Sequence, residues 1–221
     1  MTGGTPQQRG EELLLARISA AAGRAHLGRR CATYAAHAHA APVGGIRGLL
    51  AHVRNGLPPV GRPRPDARLD LYERGMTVVV KGRIRIIRYD TTSVFRQDRT
   101  FALTLTDADG ERIALSRGEA DEWVPEIQRA VTGAQLPPAL ARLDAGERLA
   151  FGDIWLTGEE VGTGVVSARW SQVQRIEIRD GVVVIGVTGM RNGPEAAASA
   201  TPNLFVLRAL VEYLRTESGH P

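Results

Sequence analysis

Four basic side chains cluster in the stretch "VVVKGRIRIIRYD", which runs from residue 78 to residue 90. They are Lys81, Arg83, Arg85 and Arg88, and ammonium and guanidinium groups of this kind bind phosphate oxygens. Side chains alternate between the faces of a strand, so Lys81, Arg83 and Arg85 are expected to leave one face near a turn. This spacing is typical of a hairpin that binds an anion. It also fits a solvated strand face whose charges discourage edge pairing, and we favour this second interpretation.

A second set of residues carries the side chains that metals prefer. His37 and His39 flank one alanine, and Cys31 lies six residues before His37. A structural zinc site usually needs four ligands at a recognisable spacing, and His26 and His52 are too scattered to complete one. We therefore expect no metal ion in this segment.

The stretch "TDADGER" resembles the start of a calcium-binding loop. Counted from Asp107, the sixth position is Arg112 where the loop requires glycine, and the twelfth is Gly118 where it requires glutamate. A hairpin turn at Asp109-Gly110 explains the stretch better.

Motifs of common catalytic sites are absent from the sequence, which has no nucleophile elbow, P-loop, dinucleotide-binding glycine motif or zinc-protease helix motif. Two pairs of neighbouring carboxylates, Asp121-Glu122 and Glu159-Glu160, have no nearby partner that indicates acid–base catalysis. We therefore expect no enzyme activity and no cofactor.

The composition is that of an ordinary soluble protein. The 221 residues are 43% hydrophobic and 24% charged, with a net charge of +4. Lys81 is the only lysine, and this preference for arginine is typical of a high-GC bacterial genome. One cysteine permits no internal disulfide, and no apolar run approaches the roughly 20 residues that span a bilayer. We expect a cytoplasmic protein, with peripheral membrane attachment as the alternative, and no nucleic-acid partner.

The elements that must position these side chains begin with a helix over residues 10–27, in which Leu14 and Ile18 share a face. The stretch "CATYAAHAHAAP" fits a strand or a helix, and the Gly- and Pro-rich residues 53–65 are expected to form a linker. The stretch "LDLYERGMTVVVKGRIRIIRYD" predicts two strands. Gly75 is expected to bend the first strand, and Lys81-Gly82 to form the turn between them.

The helical period returns after residue 116. The pattern predicts a helix that begins at Asp121-Glu122 and ends at Gly133, followed by a short second helix over residues 136–146. Further strands follow, with a hairpin turn at Asp180-Gly181. The last helix is predicted to have Thr201 as its N-cap, Pro202 at its first position and an apolar stripe made of Leu204, Leu207, Val211 and Leu214, widened by Phe205 and Leu210. The three tryptophans are expected in cores: Trp123, Trp155 and Trp170.

Four stretches carry a resemblance to a known family: "LYERGMTVVVKGRIRIIRYD", "ALARLDAGERLAFGDIWLT", "ARWSQVQRIEIRDGVVVI" and "TPNLFVLRALVEYL". They are similar to an uncharacterised group of high-GC bacterial proteins with pleckstrin-homology-like (PH-like) domains. The resemblance covers roughly residues 69–217 and implies two such domains in tandem. Group members often carry a hydrophobic membrane segment before the first domain, whereas "PVGGIRGLLAHVRNGL" is shorter and more charged. In PH domains that bind inositol phosphates, a lysine and alternate arginines of the first hairpin hold the ligand.

The expected fold class is α+β, with two PH-like antiparallel barrel or sandwich units that are each closed by a C-terminal helix. The expected organisation is a helical N-terminal extension and linker (1–65), a first PH-like domain (66–133) and a second PH-like domain (134–221). We expect a non-enzymatic scaffold or regulatory protein that recognises a protein partner. Binding of anionic membrane lipid through Lys81, Arg83, Arg85 and Arg88 is the alternative, and an enzyme of unknown class is the third choice.

Overall fold

Antiparallel sheets and α-helices build the chain, and a computed structural model describes residues 6–40, 67–97, 102–116, 122–164 and 166–218. The expected α+β class is confirmed. The chain divides into two compact units: unit 1 is Met1–Arg88 with Thr104–Asp121, and unit 2 is Tyr89–Leu103 with Glu122–Pro221. The domain boundaries predicted after residues 65 and 133 stay predictions.

Unit 1 contains a helix and most of one sheet, and its strands in that sheet lie in the order β4-β3-β2-β1-β7-β6. Helix α1 is Pro6–Arg24, and the strands are β1 (Arg30–Ala40), β2 (Ala67–Tyr72), β3 (Gly75–Val80), β4 (Arg83–Arg88), β6 (Ala102–Thr106) and β7 (Arg112–Ser116). The stretch that fitted either a strand or a helix is therefore a strand, β1, and it lies between β2 and β7. The small side chains of Ala36 and Ala38 are buried there.

The β2–β3 region corrects one sequence prediction. The stretch predicted as one strand bent at Gly75 is two strands, because the chain turns at Glu73-Arg74 and Gly75 begins β3. A Cβ atom at Gly75 would lie 2.3 Å from the carbonyl oxygen of Ile87, so only glycine permits this close approach. The turn at Lys81-Gly82 is confirmed, and both residues have positive φ angles of 48° and 74°, as a two-residue hairpin requires.

Unit 2 contains two further sheets and two helices. The strands are β5 (Val94–Gln97), β8 (Leu149–Phe151), β9 (Ile154–Leu156), β10 (Glu160–Thr163), β11 (Val166–Arg169), β12 (Val173–Arg179), β13 (Val182–Val187) and β14 (Glu195–Ala197), and the helices are α2 (Trp123–Asp144) and α3 (Leu204–Ser218). The sheet orders are β11-β10-β9-β8 and β12-β13-β14. The turn at Asp180-Gly181 is confirmed, with φ angles of 48° and 77°.

The two helices predicted between residues 121 and 146 are one continuous helix, α2. Gly133 does not end it, and Pro137 and Pro138 lie inside it although each lacks an N–H group for the helical ladder. The side chain of Gln135 donates hydrogen bonds of 2.8 Å and 2.9 Å to the carbonyl oxygens of Tyr89 and Thr92. These tertiary bonds anchor the middle of the helix to the chain near Thr92.

The last helix begins later than predicted. Thr201 is not its N-cap and Pro202 is not its first residue, because the helix starts at Leu204 and the carbonyl of Asn203 accepts the N–H groups of Val206 and Leu207. Thr201 instead donates a hydrogen bond to the carbonyl of Ala197. The apolar stripe is confirmed at its buried members Leu204, Leu207, Leu210 and Val211, while Phe205 and Leu214 are half-buried.

The core of unit 2 also contains two of the three tryptophans. Trp123 and Trp170 are at most 2% exposed, and the indole N–H of Trp170 donates to the carbonyl of Thr157 at 2.9 Å. Trp155 is half-buried, with the guanidinium of Arg148 stacked 3.9 Å from its ring centre. The expected core position is confirmed for Trp123 and Trp170 and is wrong for Trp155.

Candidate functional sites at two strand edges

The tip of the β3–β4 hairpin presents two free cations. Lys81 and Arg83 are exposed, and within the described residues neither side chain has a hydrogen-bond or ion-pair partner. They lie where the sequence placed them, at the turn and at the first position of β4.

Arg85 does not extend this pair of cations, because its guanidinium forms ion pairs inside the unit. It donates to Asp107 at 2.9 Å and to Glu111, and its side chain is only 27% exposed. The pKa of Arg85 is raised, chiefly by the hydrogen bond to Glu111 and further by the bond to Asp107, against the opposing effect of partial burial. The expectation that Arg85 points to water is therefore wrong: its guanidinium belongs to an ion-pair network around the buried carboxylate of Asp107.

Asp107 is the centre of this network and its side chain is 1% exposed. While one oxygen accepts from Arg85, the other accepts the backbone N–H groups of Asp109 and Glu111 at 3.0 Å and 2.8 Å. These bonds shape the β6–β7 turn, so the calcium-like stretch is a hairpin turn, as expected. The turn also closes the edge of β4, because the N–H of Ala108 donates to the carbonyl of Ile86 at 2.8 Å.

Arg88 has a structural partner as well. Its guanidinium donates to the carbonyl of Ala25 at 3.2 Å, just beyond the C-terminus of α1. A cation at this position satisfies a carbonyl that has no partner within the helix. The four predicted binding residues thus separate into two exposed cations and two structural ones.

A groove lies between α1 and β4, with an empty volume of about 1000 Å³. Its floor is apolar and its α1 wall is basic; the residues that line it are Arg17, Ala20, Ala21, Arg24, Ala25, Ile84, Ile86 and Ala108. Arg17 and Arg24 are exposed and have no ion-pair partner among the described residues. Leu13, at 66% exposure, lies four residues before Arg17 and extends the same side of the helix.

Sequence reasoning missed a buried carboxylate in unit 1. Asp70 is 0% exposed; it accepts hydrogen bonds from Arg68 at 2.8 Å and 3.0 Å and from Thr33 at 2.7 Å, and Arg30 lies at 3.5 Å. Burial alone raises the pKa of Asp70, but the hydrogen bonds from Arg68 and Thr33 outweigh it, so the net pKa is lowered. Opposite charges two residues apart within an apolar strand, as at Arg68 and Asp70, are the sequence signal for such a pair.

In unit 2, strand β12 has an open edge. It is the terminal strand of its sheet, and Arg179 and Val182 flank the two-residue turn as a hydrogen-bonded pair. The N–H and C=O groups of Ile176 and Ile178 therefore point away from β13, and no described residue hydrogen-bonds to them. Arg215 covers the start of this edge by donating to the carbonyl of Gln174 at 2.9 Å.

A cleft with an empty volume of about 500 Å³ adjoins this edge. The residues that line it are Val94, Leu103, Gln128, Ile178, Leu204, Phe205 and Arg208. Phe205 and Ile178 are half-buried, and Arg208 is exposed without an ion-pair partner in the described part of the chain. The cleft combines an apolar lining, a free cation and unpaired backbone groups.

Asn203 fixes one wall of this cleft. Its side-chain oxygen accepts the N–H of Val94 at 2.7 Å, and its side-chain nitrogen donates to the carbonyl of Thr92 and to the side-chain oxygen of Gln135. The residue adopts a positive φ of 48°, which asparagine tolerates better than most residues. These bonds hold the start of α3 beside β5 and α2, so the cleft is preformed.

The remaining candidates show no catalytic arrangement in the described ranges. No group of three His, Cys, Asp or Glu residues there could hold a metal ion. His37 and His39 lie in β1, but their side chains, together with His52 and Asp121, are outside what the structure describes. Glu159 accepts a hydrogen bond from Thr157, and Glu160 accepts one from Ser167. Across the described helices, none is long and apolar enough to cross a membrane.

Comparison with known protein families identifies one match for this chain. The profile of a family of unknown function (DUF6585) matches residues 66–220. Comparison with curated proteins gives no match. Seven chains of solved structures match, and one of them, "Structure of the Spt16D Pob3N heterodimer", has 9% sequence identity, 62% coverage of this chain, 87% coverage of that chain and a TM-score of 0.24.

Proposed function

The chain belongs to the DUF6585 family, whose function is unknown, and we propose that it is a non-enzymatic binding module that recognises an extended segment of a protein partner. The binding site in this proposal is the open edge of β12. The observation that carries it is the row of unpaired backbone groups at Ile176 and Ile178 beside an apolar cleft. An unpaired edge is a template for another strand, and flanking pockets select its side chains.

The chemistry of the cleft specifies the segment. Backbone hydrogen bonds to Ile176 and Ile178 require an extended chain and are independent of sequence. Phe205 and Leu204 favour an apolar side chain, while the unpaired guanidinium of Arg208 favours a carboxylate close to it. The proposed partner therefore presents a short extended stretch with one apolar and one acidic residue on the side that faces the cleft.

We further propose that the chain contains two PH-like units. Unit 2 supports this plan because a four-stranded sheet is followed by a three-stranded sheet and a final helix, α3. An arginine followed by an aromatic residue occurs at Arg88-Tyr89 and again at Arg169-Trp170, and this faint repeat also supports two units. Tyr89 and Trp170 are both at most 2% exposed, and each follows the fourth strand of an antiparallel series, β1–β4 or β8–β11.

The experiment that tests the binding proposal is selection of extended peptides from a random display library against the full chain. The affinity of each enriched peptide is then measured by fluorescence anisotropy. Arg208→Glu should weaken binding by about tenfold or more, because a charge-assisted contact contributes roughly 1.5–3 kcal/mol. The matched control is Arg191→Glu, an exposed arginine of the β13–β14 loop, which should leave affinity unchanged.

A second variant isolates the backbone contribution. The N–H of Ile176 points away from β13, so Ile176→Pro removes it without a loss from the ladder, and proline is tolerated on edge strands for this reason. Peptide binding should disappear while the sheet remains folded, and in the wild type the peptide should protect the amides of Ile176 and Ile178 from hydrogen exchange. Peptides that bind without protecting these amides would exclude the proposed site.

A further inference from the structure

The groove between α1 and β4 in unit 1 is a second surface, built differently from the β12 edge. We propose that it binds an acidic amphipathic helix of a protein partner, with an apolar stripe on the groove floor and carboxylates against Arg17 and Arg24. This site is independent of the peptide site proposed for unit 2.

The closed edge of β4 argues for a helix as the occupant. Ala108 already donates to the carbonyl of Ile86, so the middle of this edge cannot accept another strand. An occupant must therefore bind through side chains rather than through the backbone. The small side chains of Ala20, Ala21 and Ala25 let a second helix approach α1 closely, and Ile84 and Ile86 offer apolar contact opposite them.

The charges argue for carboxylates at a defined spacing. Arg17 and Arg24 are seven residues apart, so their Cα atoms are about 10 Å apart along the helix axis. Two acidic residues seven positions apart on a helix that lies along α1 match this distance. Lys81 and Arg83 add exposed positive charge at the hairpin tip of the same unit.

A second copy of α1 does not satisfy these requirements. Its Leu13 side carries the same two arginines, so two copies would bring Arg17 and Arg24 of one helix against those of the other. Asp109, which follows Ala108 on the β6–β7 turn, is exposed and makes the opposite wall less basic. The carboxylates of the occupant are therefore expected on the α1 side of the groove.

The test uses three labelled peptides of about four helical turns and the full chain. The first has a leucine and alanine stripe flanked by glutamates seven positions apart. The second moves both glutamates to the opposite face, and the third has the same composition without a stripe. Vesicles of phosphatidylcholine with phosphatidylglycerol form the lipid arm. We expect saturable binding of the first peptide, with binding to the other two about tenfold weaker or more.

Variants locate the contact. Arg17→Glu with Arg24→Glu should weaken binding of the first peptide by about thirtyfold or more, and lysine at both positions should restore most of the affinity. If Arg24→Glu at the end of α1 affects folding, Arg17→Glu alone, in the middle of α1, is measured instead. Arg129→Glu with Arg191→Glu is the matched control for net charge and should leave affinity unchanged, as should Arg208→Glu.

Three results would overturn this inference. Equal binding of the peptide without a stripe would reduce the interaction to charge alone. An equal loss in the control pair Arg129→Glu with Arg191→Glu would assign the effect to net charge rather than to the groove. Binding to anionic vesicles that depends on Arg17 and Arg24, without binding of the first peptide, would replace the helix with a lipid headgroup. None of these results bears on the β12 site, which is tested in its own unit.

Discussion

The edge strands β4 and β12 have similar sequences, but different groups lie beside their edges. Each belongs to a hairpin with a two-residue turn, Lys81-Gly82 or Asp180-Gly181, and in each charged residues alternate with isoleucine, over 83–86 in β4 and over 175–179 in β12. The edge of β4 is closed by Ala108 and by the ion pairs of Arg85, whereas no described residue pairs with the edge of β12 at Ile176 and Ile178. Alternation along a strand therefore says which residues share a face but not what lies beside the edge.

The ion-pair partners of the arginines differ between the two strands in the same way. Arg85 reaches a carboxylate that is held rigidly by a turn distant in sequence, so its charge is used to close the sheet. Arg175 and Arg179 of β12 instead share the side chain of Glu177 on their own strand, and both are more than half exposed. A local, exposed ion pair leaves the edge accessible, while a long-range buried pair covers it.

The largest effect is expected from a change behind the open edge. Leu207 is 0% exposed on α3, and Leu207→Asp buries a carboxylate without a partner, at a cost of several kcal/mol, on the order of 4. We expect unit 2 to lose its folded structure and the cleft beside β12 to disappear. Chemical denaturation checks this, with Leu13→Asp at an exposed position as the control. Wild-type melting of Leu207→Asp would mean that the core face of α3 is misplaced.

The next effect concerns the closed edge. Arg85→Ala leaves the buried carboxylate of Asp107 without its cation and should lower the free energy of unfolding by about 3 kcal/mol. Arg175→Ala removes an arginine that is 60% exposed from the comparable hairpin and should cost roughly 0.5 kcal/mol or less. Denaturant unfolding of both variants measures the contrast. Equal costs for the two variants would show that the Arg85 network does not close the β4 edge.

A smaller effect is expected from acid. Because the folded pKa of Asp70 is lowered, its stabilising contribution is complete above its unfolded pKa of about 3.9 and is lost as the pH falls through the folded value. Asp70→Asn does not titrate at this position, so the stability difference between wild type and variant should shrink below about pH 4. Unfolding measured from pH 7 to pH 2 checks this. A constant difference over that range would contradict the lowered pKa.

The smallest effect on folding is expected at the exposed tip of the closed hairpin. Lys81→Ala with Arg83→Ala removes two unpartnered cations and should change stability by less than about 0.5 kcal/mol. Arg85 pairs with Asp107 and Arg88 donates to Ala25, so the four basic residues do not form one phosphate site. We therefore also expect the variant and the parent to bind anionic vesicles equally. Sedimentation with vesicles at two salt concentrations decides this. Saturable binding by the parent that the variant lacks would support the lipid alternative.

Local chemistry explains which features were predictable from the sequence. Two-residue turns need positive φ angles, so the pairs Lys81-Gly82 and Asp180-Gly181 can be recognised as turns from the sequence. The stripe of α3 follows from the 3.6-residue period, and the α+β class follows from the order of strand and helix patterns.

Long-range contacts decided what the sequence did not show. Pro137 and Pro138 suggest a break, but α2 continues past them while Gln135 bonds to the chain near Thr92. The helix boundary near Thr201 shifted because Asn203 bonds to Val94 and Gln135.

The candidate sites illustrate the same division. The alternation of Lys81, Arg83 and Arg85 was readable from the sequence, but their availability was not, because Asp107 lies 22 residues from Arg85 in the chain. Sequence by itself determined the hairpins, the apolar stripes and the basic character of β4. Tertiary structure alone decided which edge is closed and which remains open, because edge closure depends on partners that only the folded chain brings into hydrogen-bond distance.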